Sequence, residues 1–127
     1  VIITPHAREF MELADKPIKE SDVKVVKDTA LRLEDVILLK GENDIISDGN
    51  KVVKNKTGSP YMTTGGTGDV LAGICGSLLA QGNDPFTAAQ GAAFINGRAG
   101  EMVAEDKGPS LLATDLIEAI PQVINYA

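Results

Sequence analysis

The sequence predicts an α/β layer architecture with a mostly parallel sheet, and three observations predict it. Val36-Ile37-Leu38-Leu39 is a short, wholly apolar run, the pattern of a central strand buried on both faces. Strand-like and helix-like stretches alternate early in the chain, and helix-like stretches dominate late. The run Thr63-Thr64-Gly65-Gly66-Thr67-Gly68-Asp69 opens directly into the apolar Val70-Leu71-Ala72, as a loop does when it feeds a buried helix.

The elements follow in order. Residues 1–4 read as a strand ended by Pro5, and the chain enters it without Met, turn or cap. That start is expected of a fragment of a longer protein. His6 to Leu13 reads as a short helix, with Phe10, Leu13 and Ala14 on one side. Asp15-Lys16-Pro17 is a break. Ser21-Asp22 can cap a second helix to about Leu33, carrying Val23, Val26, Ala30 and Leu33 at helical spacing. The apolar strand 36–39 ends at Lys40-Gly41. Ile45-Ile46-Ser47 and Val52-Val53-Lys54 flank Asp48-Gly49-Asn50 and read as a β-hairpin, because Asp-Gly and Gly-Asn supply the positive φ of tight turns. Thr57 to Thr64 is a loop. A helix is expected from Gly68 to Ala80, stopping near Gly82. Asp84 caps the next, with Pro85 at its first position. That helix is rich in Ala and Gly and can approach a neighbour closely. Gly108-Pro109 breaks it, and Thr114-Asp115 opens a last helix with Leu116, Ile117, Ile120 and Ile124.

Composition narrows the function. The 127 residues suit one domain. Twelve basic against eighteen acidic residues give a formal charge of -6, which argues against nucleic acid as a partner. A local nest of N–H groups can still bind phosphate on an acidic protein. No apolar run approaches the length of a membrane span, so no membrane partner is expected. Cys75 is the single cysteine, which rules out an intrachain disulfide and makes an intracellular, cytoplasmic place the default. Asn55-Lys56-Thr57 fits a glycosylation sequon, and without a secretion signal it reads as coincidence.

The glycine run carries the chemistry. Gly65, Gly66 and Gly68 can take backbone angles that other residues avoid. Their N–H groups can converge as a nest at a helix start, where the dipole favours an anion. Asp69 then sits in a positive pocket, where it would repel a phosphate unless it has a task. Taking a proton from an attacking hydroxyl is that task. No Gly-Lys-Ser/Thr follows, so this is not a Walker loop, and the spacing is wrong for a dinucleotide fingerprint. The plainer reading is a glycine-rich turn with Asp69 as helix cap. Four other residues also carry two readings. His6, the only histidine, is a cap or a site residue. Glu9 is a first-turn carboxylate that suits the dipole or a group near the site. Lys40 is a solvated strand-end lysine or part of a pocket. Asn96, unfavourable inside a helix, faces a pocket or is a satisfied buried amide. Met62 reads as a gap filler.

Thr64-Gly65-Gly66-Thr67-Gly68-Asp69 with Val70-Leu71-Ala72-Gly73 resembles the signature of the ribokinase-like superfamily. Thr4-Pro5-His6-Ala7-Arg8-Glu9-Phe10 resembles the Thr-Pro-His segment of ADP- or ATP-dependent NAD(P)H-hydrate dehydratases, and Lys40-Gly41 after a buried strand is similar to that family's nucleotide-side segment. The resemblance covers the whole chain and about the C-terminal half of the family's domain, so residues 1–127 are expected to be the C-terminal part of one ribokinase-like domain. Arg8 stands where the family usually has Gly, and Asp44 where many members have Thr.

The resemblance implies transfer of a phosphoryl group from ADP or ATP to the C6 hydroxyl of hydrated NADH or NADPH, followed by loss of phosphate. Asp69 would be the base and also touch the hydrated cofactor. The N–H groups of Gly66, Thr67 and Gly68 would hold the transferred phosphoryl. His6 would contact the hydrated nicotinamide nucleotide. Lys40, Gly41, Glu42, Asn43 and Asp44, with Gly68 and Asn96, would border the nucleotide, the Lys40 stretch more through backbone than as a phosphate clamp. Mg²⁺ would offset phosphate charge, with its protein ligands undefined. The resemblance also leaves room for a homo-oligomer and for an epimerase, fused or separate. Two rival readings share the loop: a small-molecule kinase of the superfamily acting on an alcohol such as hydroxyethylthiazole, and a nucleotide-binding fragment without turnover.

Overall fold

The computed structural model describes residues 1–14 and 22–126. Four strands, β1 (Ile2–Ile3), β2 (Val36–Leu39), β3 (Asp44–Ser47) and β4 (Val52–Asn55), form one sheet in that order. Helices α1 (Ala7–Ala14) and α2 (Val23–Leu33) connect β1 to β2. Helices α3 (Thr67–Ala80), α4 (Pro85–Lys107) and α5 (Ala113–Tyr126) follow the sheet.

Strand β2 organises the packing. Its side chains alternate between faces, as a pleated strand requires. Val36 and Leu38 join Leu71, Ile74, Ala92 and Leu116 from α3, α4 and α5. Ile37 and Leu39 join Phe10, Val26 and Ala30 from α1 and α2. Both faces are therefore covered, and this is why the run contains no polar residue. Each such buried Ile or Leu contributes about 1.5–3 kcal/mol.

The expected parallel pairing holds for β1 and β2, with Ile2 opposite Val36 and Ile3 opposite Ile37. The other two pairings are antiparallel. Chain length is the reason. Two helices separate β1 from β2 and allow a crossover, whereas only residues 40–43 separate β2 from β3, too few for one. The sheet among the described residues is thus mixed rather than mostly parallel, within an α/β architecture.

Local signals place most of the helix ends. The Asp22 carboxylate accepts the N–H of Val25 at 3.2 Å, as a cap of α2 should; Ser21 and the break at 15–17 lie outside the described residues. Asp84 accepts the N–H and hydroxyl of Thr87 at 3.1 and 2.7 Å, and Pro85 begins α4. α5 starts one residue before the expected Thr114, where Asp115 accepts the N–H of Leu112 and pairs with Lys107 at 2.8 Å. Of its apolar stripe, Leu116 is buried, but Ile117 and Ile124 are exposed. Among the described residues no helix is long and apolar enough to cross a membrane.

The hairpin matches expectation and extends one pair further, to Asp44 opposite Asn55. Its turn is fixed by side chains: the Asp48 carboxylate accepts the N–H groups of Asn50 and Lys51, and these donors hold it below the usual carboxylate range. Gly49 has φ +96, and a Cβ there would stand 2.8 Å from the backbone Cα of Leu31 in α2. Position 49 thus requires glycine twice, for conformation and for the approach of the turn to the helix. Gly49→Ala is expected to lower unfolding free energy by about 2–4 kcal/mol in chemical denaturation. A loss under about 0.5 kcal/mol would mean that the turn does not rest on α2.

Candidate active site

The site is built around the start of α3. Gly66 takes φ +94 and turns the chain into the helix, whose first bond runs from Val70 N–H to Gly66 O at 3.1 Å. A Cβ at Gly66 would also press on that of Ala113, at 3.0 Å. Of the three glycines, only Gly66 uses a left-handed angle; Gly65 and Gly68 do not. Gly68 is helical, and one ordinary helix cap suffices to reverse the chain here. The Thr67 hydroxyl is directed at Met62 O (2.8 Å) and Thr64 O (3.2 Å) and ties the loop to the helix. Among the described residues, no acceptor takes the N–H groups of Gly66, Thr67, Gly68 or Asp69. Four donors at the positive end of a helix dipole therefore stand unused.

A cavity of about 910 Å³ opens beside this turn. It lies at the C-terminal ends of the parallel strands, where open α/β sheets bind ligands. Lys40 N–H donates to Pro5 O at 2.9 Å, so the exits of β1 and β2 are bound together and His6 sits beside Lys40. Every residue expected at the nucleotide lines this cavity: the stretch 40–44, Gly68 and Asn96. His6 and Thr67 line it too. The Lys40 ammonium reaches the loop, since a Cβ added at Gly68 would lie 3.1 Å from Nζ. The Lys40 cation and the unused N–H groups of Thr67 and Gly68 thus border one cavity.

Asp44 shapes the 40–44 turn. Its carboxylate accepts the Gly41 N–H at 3.2 Å and the Asn55 amide at 3.1 Å. Burial pushes its pKa up, against the pull of those two donors and the Lys40 charge. Asn55 is the residue that the sequence reading missed. Its Nδ2 also donates to Ala93 O at 3.2 Å, and its Oδ1 accepts the Thr57 hydroxyl at 3.0 Å. It joins β3, β4, the following loop and α4. Asn55 of the sequon is thus a buried brace; the available signal was a short amide ending a strand.

The small residues of α4 serve two neighbours. A Cβ at Gly91 would meet the Leu78 side chain of α3 at 3.1 Å. At Gly97 it would overlap Thr57, and at Gly100 it would overlap Met62. The Ala/Gly face therefore receives the 57–62 loop as well as a helix, and Met62 fills the gap over Gly100. Asn96, between them, is 7% exposed, and its Oδ1 has no hydrogen-bond partner.

His6 and Glu9 cap α1 reciprocally. His6 N–H donates to Glu9 Oε1 at 2.9 Å, and Glu9 N–H donates to His6 Nδ1 at 3.2 Å. The His6 backbone N–H, more than the ring, holds the Glu9 carboxyl below its usual range. With Nδ1 accepting, Nε2 lies 3.3 Å from the same Glu9 carboxylate. His6 is thus both the cap and part of the cavity wall.

Asp69 faces elsewhere. It is exposed, has no hydrogen-bond partner among the described residues, and lines a second hollow of about 510 Å³ between α3 and α5. That groove is apolar, with Ile74, Leu78, Ile117, Ile120 and Ile124 along it. Gly66 heads the groove with Asp69, while Thr67 and Gly68 line the cavity. The structure does not bring His6 and Asp69 into one hollow.

A four-stranded sheet flanked by helices, with a Gly-rich helix start at its ligand-binding edge, defines a ribokinase-like α/β fold. A family profile described as NAD(P)H-hydrate dehydratase matches residues 1–122, and the chain belongs to that family. It is 50% identical over 127 residues to the bifunctional NAD(P)H-hydrate repair enzyme Nnr of Pyrobaculum aerophilum, covering 98% of this chain and 25% of that protein. It is 44% identical over 126 residues to the ADP-dependent (S)-NAD(P)H-hydrate dehydratase of Cenarchaeum symbiosum, covering 97% of this chain and 44% of that one. A solved structure of the ADP/ATP-dependent NAD(P)H-hydrate dehydratase of Bacillus subtilis, co-crystallized with ATP/Mg²⁺, superposes with a TM-score of 0.91 at 31% identity, covering 98% of this chain and 47% of that chain. The chain spans a quarter to about half of the length of these relatives.

The Asn55 brace has a pH signature. Asp44 titrates above the ordinary 3.8, so its charge costs stability above its folded pKa and costs nothing well below 3.8, where both states are protonated. Removing the Asn55 donor raises that pKa further. Asn55→Ala is expected to cost about 1–3 kcal/mol at pH 7 and clearly less as pH falls below about 4. Denaturant titrations of both proteins at the two pH values measure it, and a pH-independent difference would remove Asp44 from the account.

Proposed function

We propose that residues 1–127 are the C-terminal part of a NAD(P)H-hydrate dehydratase domain, and that the complete protein repairs hydrated NADH or NADPH at the expense of ADP or ATP. One observation supports this reading beside the family membership: the unclaimed N–H groups of Thr67 and Gly68 and the Lys40 ammonium border one cavity, and an unpartnered carboxylate, Asp69, follows at once.

Each residue has a task. The N–H groups of Gly66, Thr67 and Gly68 receive charge from the phosphoryl in transfer, where preorganised donors count most. Asp69 takes the proton of the C6 hydroxyl as its oxygen attacks the terminal phosphorus. The bond from phosphorus to the bridging oxygen breaks, leaving AMP from ADP or ADP from ATP. Phosphate then departs from C6, a proton leaves C5, and the ring double bond returns. The 40–44 stretch and Asn96 border the nucleotide, and His6, at the wall of the same cavity, contacts the hydrated nicotinamide nucleotide.

Among the described residues, no three His, Cys, Asp or Glu side chains are gathered for a metal. Mg²⁺ commonly takes one or two carboxylates with phosphates and waters, and Asp69 is the carboxylate at the loop without a protein partner, so phosphates would supply most ligands. When bound, the ion would offset phosphate charge. A cytoplasmic site goes with this reading, as does a second activity, an epimerase fused or separate, and a homo-oligomer. The kinase alternative is not favoured, because the family match is to the dehydratases.

The test is incubation of the full-length protein with hydrated NADH and ADP or ATP. Absorbance of the reduced ring should return with release of phosphate. A phosphorylated alcohol accumulating from hydroxyethylthiazole, with no change in the hydrate, would select the kinase. Nucleotide binding with neither product would select the silent fragment. Asp69→Asn is expected to cut turnover by about 10²–10⁴-fold while nucleotide affinity stays within about threefold; a near-normal rate would mean that Asp69 is not the base. Gly68→Val, which crowds the Lys40 ammonium, is expected to weaken nucleotide binding at least about tenfold by calorimetry. Unchanged affinity would remove the helix start from the phosphate site.

A further inference from the structure

We propose that Glu101 of α4, which lines neither hollow, is the positioning residue of the glycine turn: its carboxylate fixes the 57–64 loop and, through that loop, the start of α3. Only the effect on turnover rests on the proposed function; the hold on the loop does not.

Three observations lead there. Glu101 Oε1 accepts the N–H of Gly58 at 3.2 Å, across 43 positions of sequence. Among the described residues this is the one hydrogen bond that ties residues 58–64 to α4. The other oxygen of Glu101 accepts Arg98 Nη1 at 2.7 Å, so a carboxylate 31% exposed is held from two sides. Gly58 takes φ +133, and a glycine has more freedom to lose on ordering than any other residue, so the loop needs a tie at this point. Beyond Gly58 the chain transmits what that tie sets. Ser59 Oγ accepts the Tyr61 N–H at 3.2 Å, residues 60–62 make one tight helical turn, and Met62 O accepts the Thr67 hydroxyl at 2.8 Å at the first residue of α3.

The plainer reading is a surface pair of Arg98 with Glu101, one turn apart on a helix. Such pairs are ordinarily worth little. That reading accounts for one oxygen and leaves out the other, which is turned to a backbone N–H from a distant part of the chain. A charged acceptor makes such a bond about twice as strong as a neutral one, and its loss shifts a local opening equilibrium by about tenfold or more. The remaining ties of the loop to α4 are weaker. The Thr57 hydroxyl lies 3.4 Å from Ala93 O but 3.0 Å from Asn55 Oδ1, and Met62 only packs over Gly100. Asn55 thus anchors the entry of the loop, and Glu101 anchors its course toward the site. Donors that meet a phosphoryl group must be placed in advance, and a misplacement of about 1 Å can cost about 10²-fold in rate.

The test uses the full-length protein and three variants: Glu101→Ala, Arg98→Ala and the double variant Arg98→Ala/Glu101→Gln. In the double variant the amide oxygen can still accept the Gly58 N–H, and no arginine competes for it. Amide hydrogen exchange without ligand reads the loop, and steady-state kinetics with hydrated NADH and ADP or ATP reads the site. Glu101→Ala should speed exchange at the Gly58, Met62 and Val70 N–H groups by at least about tenfold and leave β2 unchanged. It should cut kcat by at least about tenfold while KM for the hydrated cofactor stays within about threefold, because His6 lies on a separate segment. The double variant should return both readouts to within about threefold of wild type. An Arg98→Ala protein that matches Glu101→Ala moves the effect to the ion pair and overturns the assignment. Faster exchange throughout the sheet marks a general structural loss and overturns it too, as does a double variant that fails to recover. A loosened loop with kcat intact also overturns it, since the α3 start then does not depend on Glu101. If the wild type turns over no hydrated cofactor, the proposed function falls and exchange alone decides. Acceleration confined to Gly58, Met62 and Val70 then keeps Glu101 as the residue that positions the turn, and unchanged exchange removes it.

Discussion

A residue with a Cβ cannot comfortably occupy position 66. Its φ is +94, and the added atom would press on Ala113 at the start of α5. Because the chain turns there, α3 begins with its first N–H groups pointing into open space rather than at a capping side chain. Lys40, carried in at the end of β2, places a second positive feature against the same turn. An ammonium near a helix N-terminus is unfavourable by up to about 1 kcal/mol, since both are positive. That juxtaposition is mildly repulsive, and an anion placed between cation and helix start reverses its sign. The fold carries this tension only because β2 is buried on both faces and fixes where Lys40 emerges.

Around that turn the scaffold is rigid where the ligand groups are free. Asn55 closes its hydrogen bonds onto Asp44, Thr57 and Ala93, and Thr67 closes its hydroxyl onto the preceding loop. Gly97 and Gly100 let the 57–62 loop lie directly on α4, with no side chain between. Against this, Asn96 Oδ1, the first N–H groups of α3 and the Asp69 carboxylate have no protein partner among the described residues. Satisfied polar groups hold the walls, while the α3 start and the Asp69 carboxylate border the hollows unpaired. That separation is what preorganisation requires, because donors fixed in advance need no rearrangement when charge develops.

What was legible in the sequence was local. The apolar run 36–39, the Asp48-Gly49 turn, the Asp84-Pro85 start of α4 and the glycine run each act over a few residues, so the string alone specifies them. The stretch 40–44 and Asn96 came to the nucleotide through a resemblance to known sequences, and they do line one cavity with Gly68. What escaped depends on partners distant in sequence. Asn55 is a brace only because Ala93 of α4 passes close by, and the short amide at the strand end is a weak local trace of it. The antiparallel pairing of β3 was implicit in the short 40–43 connection, but the alternation of strands and helices pointed the other way. His6 looked like a site residue or a cap, and it is a cap whose ring also borders the cavity.

Gly68 and Asp69 are adjacent in sequence yet open on different hollows, and helix geometry explains this. Successive residues of an α-helix are about 100° apart around its axis. The first turn of α3 can therefore show Thr67 and Gly68 to the cavity while Asp69 looks into the groove between α3 and α5. The free N–H groups point along the axis, between the two. If a nucleotide enters from the cavity, its terminal phosphoryl meets those N–H groups end-on, and an alcohol held near Asp69 approaches from the other side. Attacking and departing oxygens then lie on opposite sides of the phosphorus, the in-line arrangement that phosphoryl transfer needs. Had the carboxylate stood one position earlier, it would face the nucleotide's own phosphates and repel them. Its place in the helix turn, not its mere presence in the motif, is what makes Asp69 compatible with a base.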